Sequence, residues 1–297
     1  MNLLRSFLPS REVALALGGG GARGHAHIGV LRVLEAEGYR IRAIAGTSAG
    51  GLVAVFYAAG FTPQEIEKLF SEVDQEALYG HTPQSPPSLL GLAGAEKWLR
   101  QQLGERTFAD LRLPCAVTAV DMVQRREVML DQGDVVNALL ATIAVPGIFP
   151  PREIEGMRLV DGGVLNPVPV NVARKLAPGV PVIAVALTPP LESPISSALP
   201  GLRLPPLLAE PLRRLRVTQA MSLFLESVEA GSRALTQWRL EAEKPEVILR
   251  PATGHISLLE KVNVSEVARL GEEAARQALP LIEKAVRAHP WKWLRKC

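Results

Sequence analysis

Ser48 is the side chain in this sequence whose setting best suits nucleophilic chemistry, because it lies at the centre of a G-x-S-x-G motif, GTSAG. A mostly apolar run at 41–45 precedes the motif and a helix-like apolar run at 52–59 follows it. The serine is therefore predicted on a tight turn between a strand and a helix, the position of a nucleophile elbow. Gly46 and Gly50 allow the sharp bend that exposes the hydroxyl group, and the helix N-terminus favours developing negative charge.

A glycine-rich loop earlier in the chain can supply the hydrogen-bond donors that such a serine needs. It follows an aliphatic run at 13–17 and precedes an amphipathic helix pattern, which indicates the order strand, loop and helix. In a parallel sheet this loop and the turn at Ser48 emerge at the same, carboxyl edge. Backbone N–H groups in such a loop bind anions, so we predict an oxyanion hole. The candidate residues are Gly19, Gly20, Gly21, Ala22, Arg23 and Gly24.

The same loop also satisfies the dinucleotide-binding pattern G-x-G-x-x-G, with Gly19, Gly21 and Gly24 as its glycines. That pattern requires an acidic residue about 20 residues further on, at the end of the second strand. Glu35 and Glu37 come too early and lie on the intervening helix. The oxyanion interpretation is therefore preferred. A non-enzymatic regulatory domain that binds a nucleotide stays as the alternative from another functional class.

Asp161 is the candidate base for Ser48. It ends a short apolar strand pattern and is followed by Gly162 and Gly163, so its carboxylate is fixed while the backbone turns away. An Asp-Gly turn without a chemical role is the ordinary alternative for this pattern. The order Ser48, Asp161, His255 is also that of the α/β-hydrolase triad, so a triad esterase is a second alternative.

Composition argues against several other classes of protein. The chain has 297 residues, 47% of them hydrophobic, which suits one large packed domain. Its net charge is +3 and its basic residues are scattered among acidic ones, so no nucleic-acid partner is expected. Cys115 and Cys297 suggest neither a disulfide framework nor a metal cluster, and no cofactor is expected. No apolar run approaches the roughly 18 residues of a membrane span. Two isolated cysteines suit a reducing interior, so a cytoplasmic location is expected, with or without peripheral contact at a membrane.

The sequence divides into one predicted domain and two short ends. Residues 1–12 are interpreted as an N-terminal tail, 13–288 as a single hydrolase domain, and 289–297 as a C-terminal tail rich in tryptophan and basic residues. Within the domain, 189–211 is an apolar loop whose prolines disfavour a helix. The compositions of this loop and of the C-terminal tail suit contact with a membrane surface.

Taken in order, four phrases closely resemble the signatures of the patatin-like phospholipases, particularly the bacterial members: GGGGARGHAHIGVL, GTSAG, VPGIFPP and DGGVLNPVPV. The resemblance covers residues 13–187 and weakens after them. It implies a three-layer α/β/α sandwich with a mainly parallel central sheet, and hydrolysis of lipid acyl esters by a Ser-Asp dyad without histidine. Two successive βα units at the start of the chain independently predict a parallel α/β arrangement.

The resemblance also implies a role for each candidate residue. Ser48 is the expected nucleophile, Asp161 its base, and the backbone around Gly20 and Gly21 the oxyanion hole. Arg23 either anchors a substrate phosphate or braces the loop through a carboxylate, and bracing is the preferred interpretation. The expected substrate is a lipid or another acyl ester.

Overall fold

The computed structural model of the protein describes residues 11–80, 88–191 and 216–288. The C-terminal tail, and most of the N-terminal tail and of the proline-rich loop, lie outside the described residues. Their expected contacts with a membrane surface therefore stay predictions. The division into a single domain with two tails also stays a prediction.

One mixed sheet forms the centre of the molecule. Its strands are β1 Glu12–Leu17, β2 Arg40–Thr47, β3 Cys115–Asp121, β4 Arg126–Leu130, β5 Arg152–Ile154, β6 Met157–Asp161, β7 Val182–Val185 and β8 Val247–Leu249. They are ordered β5-β6-β3-β2-β1-β7-β8, with β4 also paired to β3. The pairs β3–β2, β2–β1, β1–β7 and β7–β8 are parallel. The pairs β3–β4, β3–β6 and β5–β6 are antiparallel. The predicted α/β fold with a mainly parallel sheet is confirmed.

Helices lie on both faces of the sheet. They are α1 Ala26–Ala36, α2 Ala49–Ala58, α3 Pro63–Glu72, α4 Gln75–Leu78, α5 Ala93–Leu103, α6 Val135–Thr142, α7 Val170–Leu176, α8 Arg216–Glu243 and α9 Val264–Ala288. Short 3-10 helices occupy Gly21–His25, Phe108–Asp110 and Gly162–Val164. Sequence signals explain where some begin: Thr62 and Glu65 form a capping box at α3, and Asp134 caps α6. No helix in the described ranges has the length and apolar composition needed to cross a bilayer.

The alternation of side chains along β1 shows how the core is divided. Val13, Leu15 and Leu17 belong to the larger apolar cluster, together with residues of α1, α2 and α9. Ala14 and Ala16 belong to the smaller cluster on the opposite face, together with residues of α7. Successive side chains of a strand point to opposite faces, so β1 is buried on both sides, as expected for a central parallel strand. The sheet therefore gives firm support to the loop that follows β1.

β3 brings two distant segments of the chain together. Its first half pairs in parallel with β2, which places Thr118 opposite Thr47. The next residue along β3, Ala119, pairs with Asp161 at the end of the antiparallel strand β6. β2 and β6 therefore end close together alongside β3, and the residues at their ends become neighbours.

Candidate active site

Ser48 has a backbone conformation that few non-glycine residues adopt. Its φ is 54° and its ψ is −123°, at the junction between β2 and α2. Its N–H donates to Oγ1 of Thr142, 2.8 Å away. The flanking glycines permit very close contacts: a Cβ on Gly46 would lie 2.4 Å from the carbonyl oxygen of Gly50, and one on Gly50 would lie 2.3 Å from that of Leu17. Larger residues at these two positions would not fit, so the turn depends on both glycines.

The hydroxyl group of Ser48 lies within hydrogen-bonding reach of the carboxyl group of Asp161 and stabilises its ionised form. The same carboxyl group accepts the N–H of Gly163, which lies 2.7 Å from Oδ1. Gly162 lies so close to β3 that a Cβ there would be 2.2 Å from Oγ1 of Thr118. The turn after β6 thus has no room for a side chain at this position, and its backbone helps to hold the carboxyl group beside the serine.

Burial controls the ionisation of Asp161. The residue is only 5% exposed, and Ser48 only 9%. The loss of water raises the pKa of Asp161 to about 6, and the hydrogen bonds from Ser48 and Gly163 moderate the rise. A carboxylate with this pKa is a stronger base than an ordinary aspartate, yet it is still mostly ionised at pH 7.

The glycine loop after β1 packs directly against the turn that carries Ser48. A Cβ on Gly19 would lie 3.3 Å from the Cβ of Ser48. A Cβ on Gly24 would lie 2.5 Å from the Cβ of Ala49, the first residue of α2. The absence of side chains at these two glycines therefore lets the loop and the helix N-terminus approach each other closely.

Three of the six predicted oxyanion donors are already used by the fold. The N–H groups of Gly19 and Ala22 donate to carbonyl oxygens of other segments, each at 2.9 Å, and that of Arg23 donates to Gly20 at 3.2 Å. Among the described residues, the N–H groups of Gly20 and Gly21 meet no acceptor. The oxyanion hole over Gly19 to Gly24 stays a prediction. These contacts favour Gly20 and Gly21 as its donors, because the N–H groups of Gly19, Ala22 and Arg23 stabilise the loop itself.

The side chain of Arg23 is directed into the protein. It is 2% exposed, its Nε donates to the carbonyl oxygen of Ile256 at 2.6 Å, and its Nη2 donates to Oε1 of Glu229 at 2.8 Å. A buried guanidinium group needs such a carboxylate, because an unpaired charge inside a protein is strongly destabilising. Of the two interpretations of Arg23, this geometry favours bracing of the loop over contact with a substrate phosphate.

A buried polar cluster behind the site was not anticipated from the sequence. Oγ1 of Thr47 contacts Oγ1 of Thr118 at 2.7 Å and donates to the carbonyl oxygen of Asn166 at 2.8 Å. The N–H of Asn166 donates to the carbonyl oxygen of Gly162 at 2.7 Å. Asn166 therefore ties the residue before Ser48 to the turn after Asp161. In the sequence, Thr47 lies within GTSAG and Asn166 within DGGVLNPVPV. Thr118 is distinguished only as a polar residue in an otherwise apolar strand.

Among the described residues, no imidazole group contacts the side chain of Ser48 or of Asp161, and these two side chains interact with each other. His255 is exposed, in the turn after β8. Burial lowers the pKa of His25 and of His27 to about 4, so both rings are neutral at pH 7. His27 donates from Nε2 to the carbonyl oxygen of Gly18 at 2.8 Å, a contact that supports the glycine loop. In the described ranges, no group of three or more metal-ligating side chains is clustered.

Comparison with known families identifies the chain. Residues 15–174 match the family model described as Patatin-like phospholipase, and this range is more than half of the 297 residues. It contains the glycine loop, the turn at Ser48 and the turn at Asp161. The chain therefore belongs to the patatin-like phospholipase family.

Individual relatives resemble parts of the chain. An uncharacterised NTE family protein of Mycobacterium tuberculosis is 38% identical over 164 residues, which cover 54% of this chain and 45% of that protein. The mouse patatin-like phospholipase domain-containing protein 6 is 30% identical over 182 residues, 58% of this chain and 13% of that protein. The matched region thus spans less than half of either relative. The crystal structure of VipD from Legionella pneumophila has a TM-score of 0.54 at 13% identity, covers 95% of this chain and 67% of VipD, and supports the fold alone.

Proposed function

We propose that this protein hydrolyses the carboxylic esters of lipids through a Ser48–Asp161 dyad. The observation that carries the proposal is the position of the Ser48 hydroxyl group, within hydrogen-bonding reach of the buried carboxyl group of Asp161. The N–H groups of Gly20 and Gly21 lie in the loop packed against this serine and are open to a bound anion. Membership of the patatin-like phospholipase family supports lipid esters as the substrate class.

The first half of the reaction forms an acyl-enzyme. Oγ of Ser48 attacks the ester carbonyl carbon while its proton passes to the carboxylate of Asp161. The carbonyl oxygen becomes an oxyanion, which accepts hydrogen bonds from Gly20 and Gly21 and is stabilised by the N-terminus of α2. When the tetrahedral intermediate collapses, the bond to the alcohol breaks and Asp161 gives its proton to the departing oxygen.

The second half releases the acid. A water molecule attacks the carbonyl carbon of the acyl-enzyme and gives a proton to Asp161, which is again a carboxylate. The same two N–H groups stabilise the second oxyanion. Collapse breaks the ester bond to Ser48, whose oxygen recovers the proton from Asp161. The carboxyl group thus acts as base and acid in turn, a task that a pKa of about 6 suits.

The alternatives have less support. A triad would require His255 to lie between Ser48 and Asp161, but these two side chains already interact with each other and His255 is exposed. A nucleotide-binding regulatory domain would leave the strained backbone of Ser48 and its buried carboxyl partner without a role. A lipid substrate also accords with peripheral contact at a membrane surface, which we include in the proposal.

Hydrolysis of a short-chain p-nitrophenyl ester, with and without a serine-directed phosphonate, tests the proposal. The native protein should turn over the ester and carry the phosphonate on Ser48. Ser48→Ala should lose both properties, and Asp161→Asn should lower kcat by about 10²- to 10⁴-fold. Ser265→Ala, at an exposed serine of α9, is the matched control. Absence of turnover and of labelling in the native protein would refute the enzymatic function.

A panel of phospholipids, lysophospholipids and neutral glycerides tests the substrate class. Products should be identified by mass, and the native protein compared with Asp161→Asn. Release of fatty acid by the native protein alone is the expected result. If short esters are hydrolysed but no lipid is, the dyad chemistry stands and lipid as the substrate class is refuted.

A further inference from the structure

We infer that helix α8 positions both halves of the proposed active site, with Glu229 holding the oxyanion loop and Arg239 holding the turn after Asp161. This inference rests on the proposed function. α8 follows the region that matches the family model, which ends at residue 174. Both residues act through other groups, so they are positioning residues.

The first contact is between Glu229 and Arg23. Oε1 of Glu229 accepts the hydrogen bond from Nη2 of Arg23 at 2.8 Å, and the Arg23 side chain is 2% exposed. Arg23 is two residues from Gly21, and its own N–H donates to the carbonyl oxygen of Gly20. Removal of Glu229 takes away a carboxylate that neutralises a buried guanidinium group. Arg23 would then shift toward water and take the backbone of Gly20 and Gly21 with it.

The second contact is between Arg239 and the turn after Asp161. Nη1 of Arg239 donates to the carbonyl oxygen of Leu165 at 2.8 Å, and Nη2 donates to Glu127 at 3.1 Å. Glu127 in turn accepts the side-chain amide of Asn166 at 2.7 Å. The N–H groups of Leu165 and Asn166 both donate to the carbonyl oxygen of Gly162, at 3.1 and 2.7 Å. Arg239 thus fixes the last residues of the turn that carries the Asp161 carboxyl group.

A single helix can perform both tasks because of its length and its packing. Ten residues separate Glu229 from Arg239, which corresponds to about 15 Å along a helix axis. Arg233, Thr236 and Leu240 lie between or beside them on the inner face and are 4%, 2% and 4% exposed. The inner face of α8 is therefore docked along this whole length, and the two contacts are held at a fixed separation.

The two contacts should have different kinetic signatures. Loss of the Glu229 contact displaces the oxyanion donors, so it lowers kcat while the ionisation of Asp161 is retained. Loss of the Arg239 contact loosens the turn and admits water to Asp161, so the pKa of that carboxyl group falls toward its ordinary value. The acid limb of the pH–rate profile then moves to lower pH. A purely structural role would lower the yield or melting temperature without either signature.

Kinetic variants test the inference. Glu229→Ala should lower kcat about 10- to 100-fold with KM within about twofold and the acid limb unchanged. Glu229→Gln, whose amide oxygen still accepts from Arg23, should lose less. Arg239→Ala should move the acid limb down by about half a pH unit or more, and Arg239→Lys by less. Glu241→Ala and Arg276→Ala, at exposed sites on α8 and α9, are the matched controls and should behave as the native protein.

Hydrogen exchange of backbone amides tests the positioning without any need for turnover. Glu229→Ala should speed exchange at residues 19–24 and leave 162–166 unchanged, and Arg239→Ala should do the reverse. The inference would be overturned if exchange at both segments stayed native in all four folded variants, Glu229→Ala, Glu229→Gln, Arg239→Ala and Arg239→Lys. Native kinetics in the folded alanine variants would overturn it as well. If the native protein neither hydrolyses esters nor labels at Ser48, the proposed function fails, and the exchange data alone decide whether α8 holds the two segments.

Discussion

Thr47 pairs with Thr118 of β3, and Asp161 pairs with Ala119, the next residue of the same strand. Ser48 follows Thr47 directly, so this pairing places the serine near Asp161 although 113 positions separate them in the sequence. β2 approaches from one direction and β6 from the other, so both strands end at the same place. The distance between the Ser48 hydroxyl and the Asp161 carboxyl is therefore set by the pairing of a buried sheet. Such preorganisation is what a dyad needs, because the two groups must meet before the substrate arrives.

The activity should depend on the ionisation of Asp161. Burial raises the pKa of this carboxyl group to about 6, and only the ionised form accepts a proton from Ser48. We expect kcat/KM for a p-nitrophenyl ester to be constant above pH 7 and to fall about tenfold per unit below pH 6. The rate of phosphonate labelling should show the same acid limb. An acid limb near pH 4 in both measurements would show that Asp161 is solvated.

The same raised pKa should reduce stability at neutral pH. Between pH 3.8 and about 6 the carboxyl group of Asp161 keeps a proton in the native state that it has lost in the unfolded state. Its contribution to the free energy of unfolding therefore falls as the pH rises through that window. Asp161→Asn keeps the shape without the charge. It should increase the free energy of unfolding at pH 8 by up to about 3 kcal/mol, and the gain should shrink as the pH approaches 4. Urea unfolding at both pH values measures this, and an equal effect at both would contradict it.

Gly50→Ala should prevent the turn at Ser48 from forming. The new Cβ would lie 2.3 Å from the carbonyl oxygen of Leu17, which is backbone and has little room to move. We expect a loss of about 4 kcal/mol or more, or failure to obtain folded protein. Gly231→Ala in α8, where no described atom beyond the helix's own backbone lies within 4 Å of the new Cβ, is the control and should gain roughly 0.5–1 kcal/mol. Similar outcomes for the two variants would refute the close contact.

Thr142→Val should weaken the conformation of Ser48. It removes the oxygen that accepts the Ser48 N–H at 2.8 Å and leaves that donor buried without a partner. The expected cost is about 1–3 kcal/mol in stability. We also expect a loss of about tenfold or more in kcat, because the hydroxyl group is displaced. Thr142→Ser keeps the oxygen and should retain most of both properties; equal losses in the two variants would point to packing instead.

His255→Ala should leave esterase activity within about twofold of the native value, because a Ser-Asp dyad uses no imidazole group. Steady-state kinetics with the same ester measure this directly. Loss of about 10⁴-fold, as expected for a triad member, would replace the dyad with a triad.

Local glycine patterns allowed the sequence to predict the turns at Ser48 and Asp161, because their close backbone contacts exclude other residues. The acceptors of the Gly19 and Ala22 N–H groups were not predictable, because they lie in segments far along the chain. The contacts of Thr118 and Thr142 were not predictable for the same reason, because their hydrogen-bond partners lie 71 and 94 residues away along the chain. The strand that ends at Asp161 was predicted, but β5 and the hairpin that it forms with β6 were not. Strands this short show little periodicity, and its turn has Glu155 where asparagine or aspartate is usual.

The β5–β6 hairpin turn determines which way Asp161 faces. Glu155 and Gly156 both have positive φ, 50° and 77°, and join Ile154 directly to its partner Met157. In a two-residue hairpin the turn sets the pairing of every later residue in the strand, and side chains alternate between the two faces. One extra residue inserted at this tip, with the pairing of β5 kept, would shift β6 by one position. The carboxyl group would then face the opposite layer of helices, and the hydroxyl group of Ser48 would have no base.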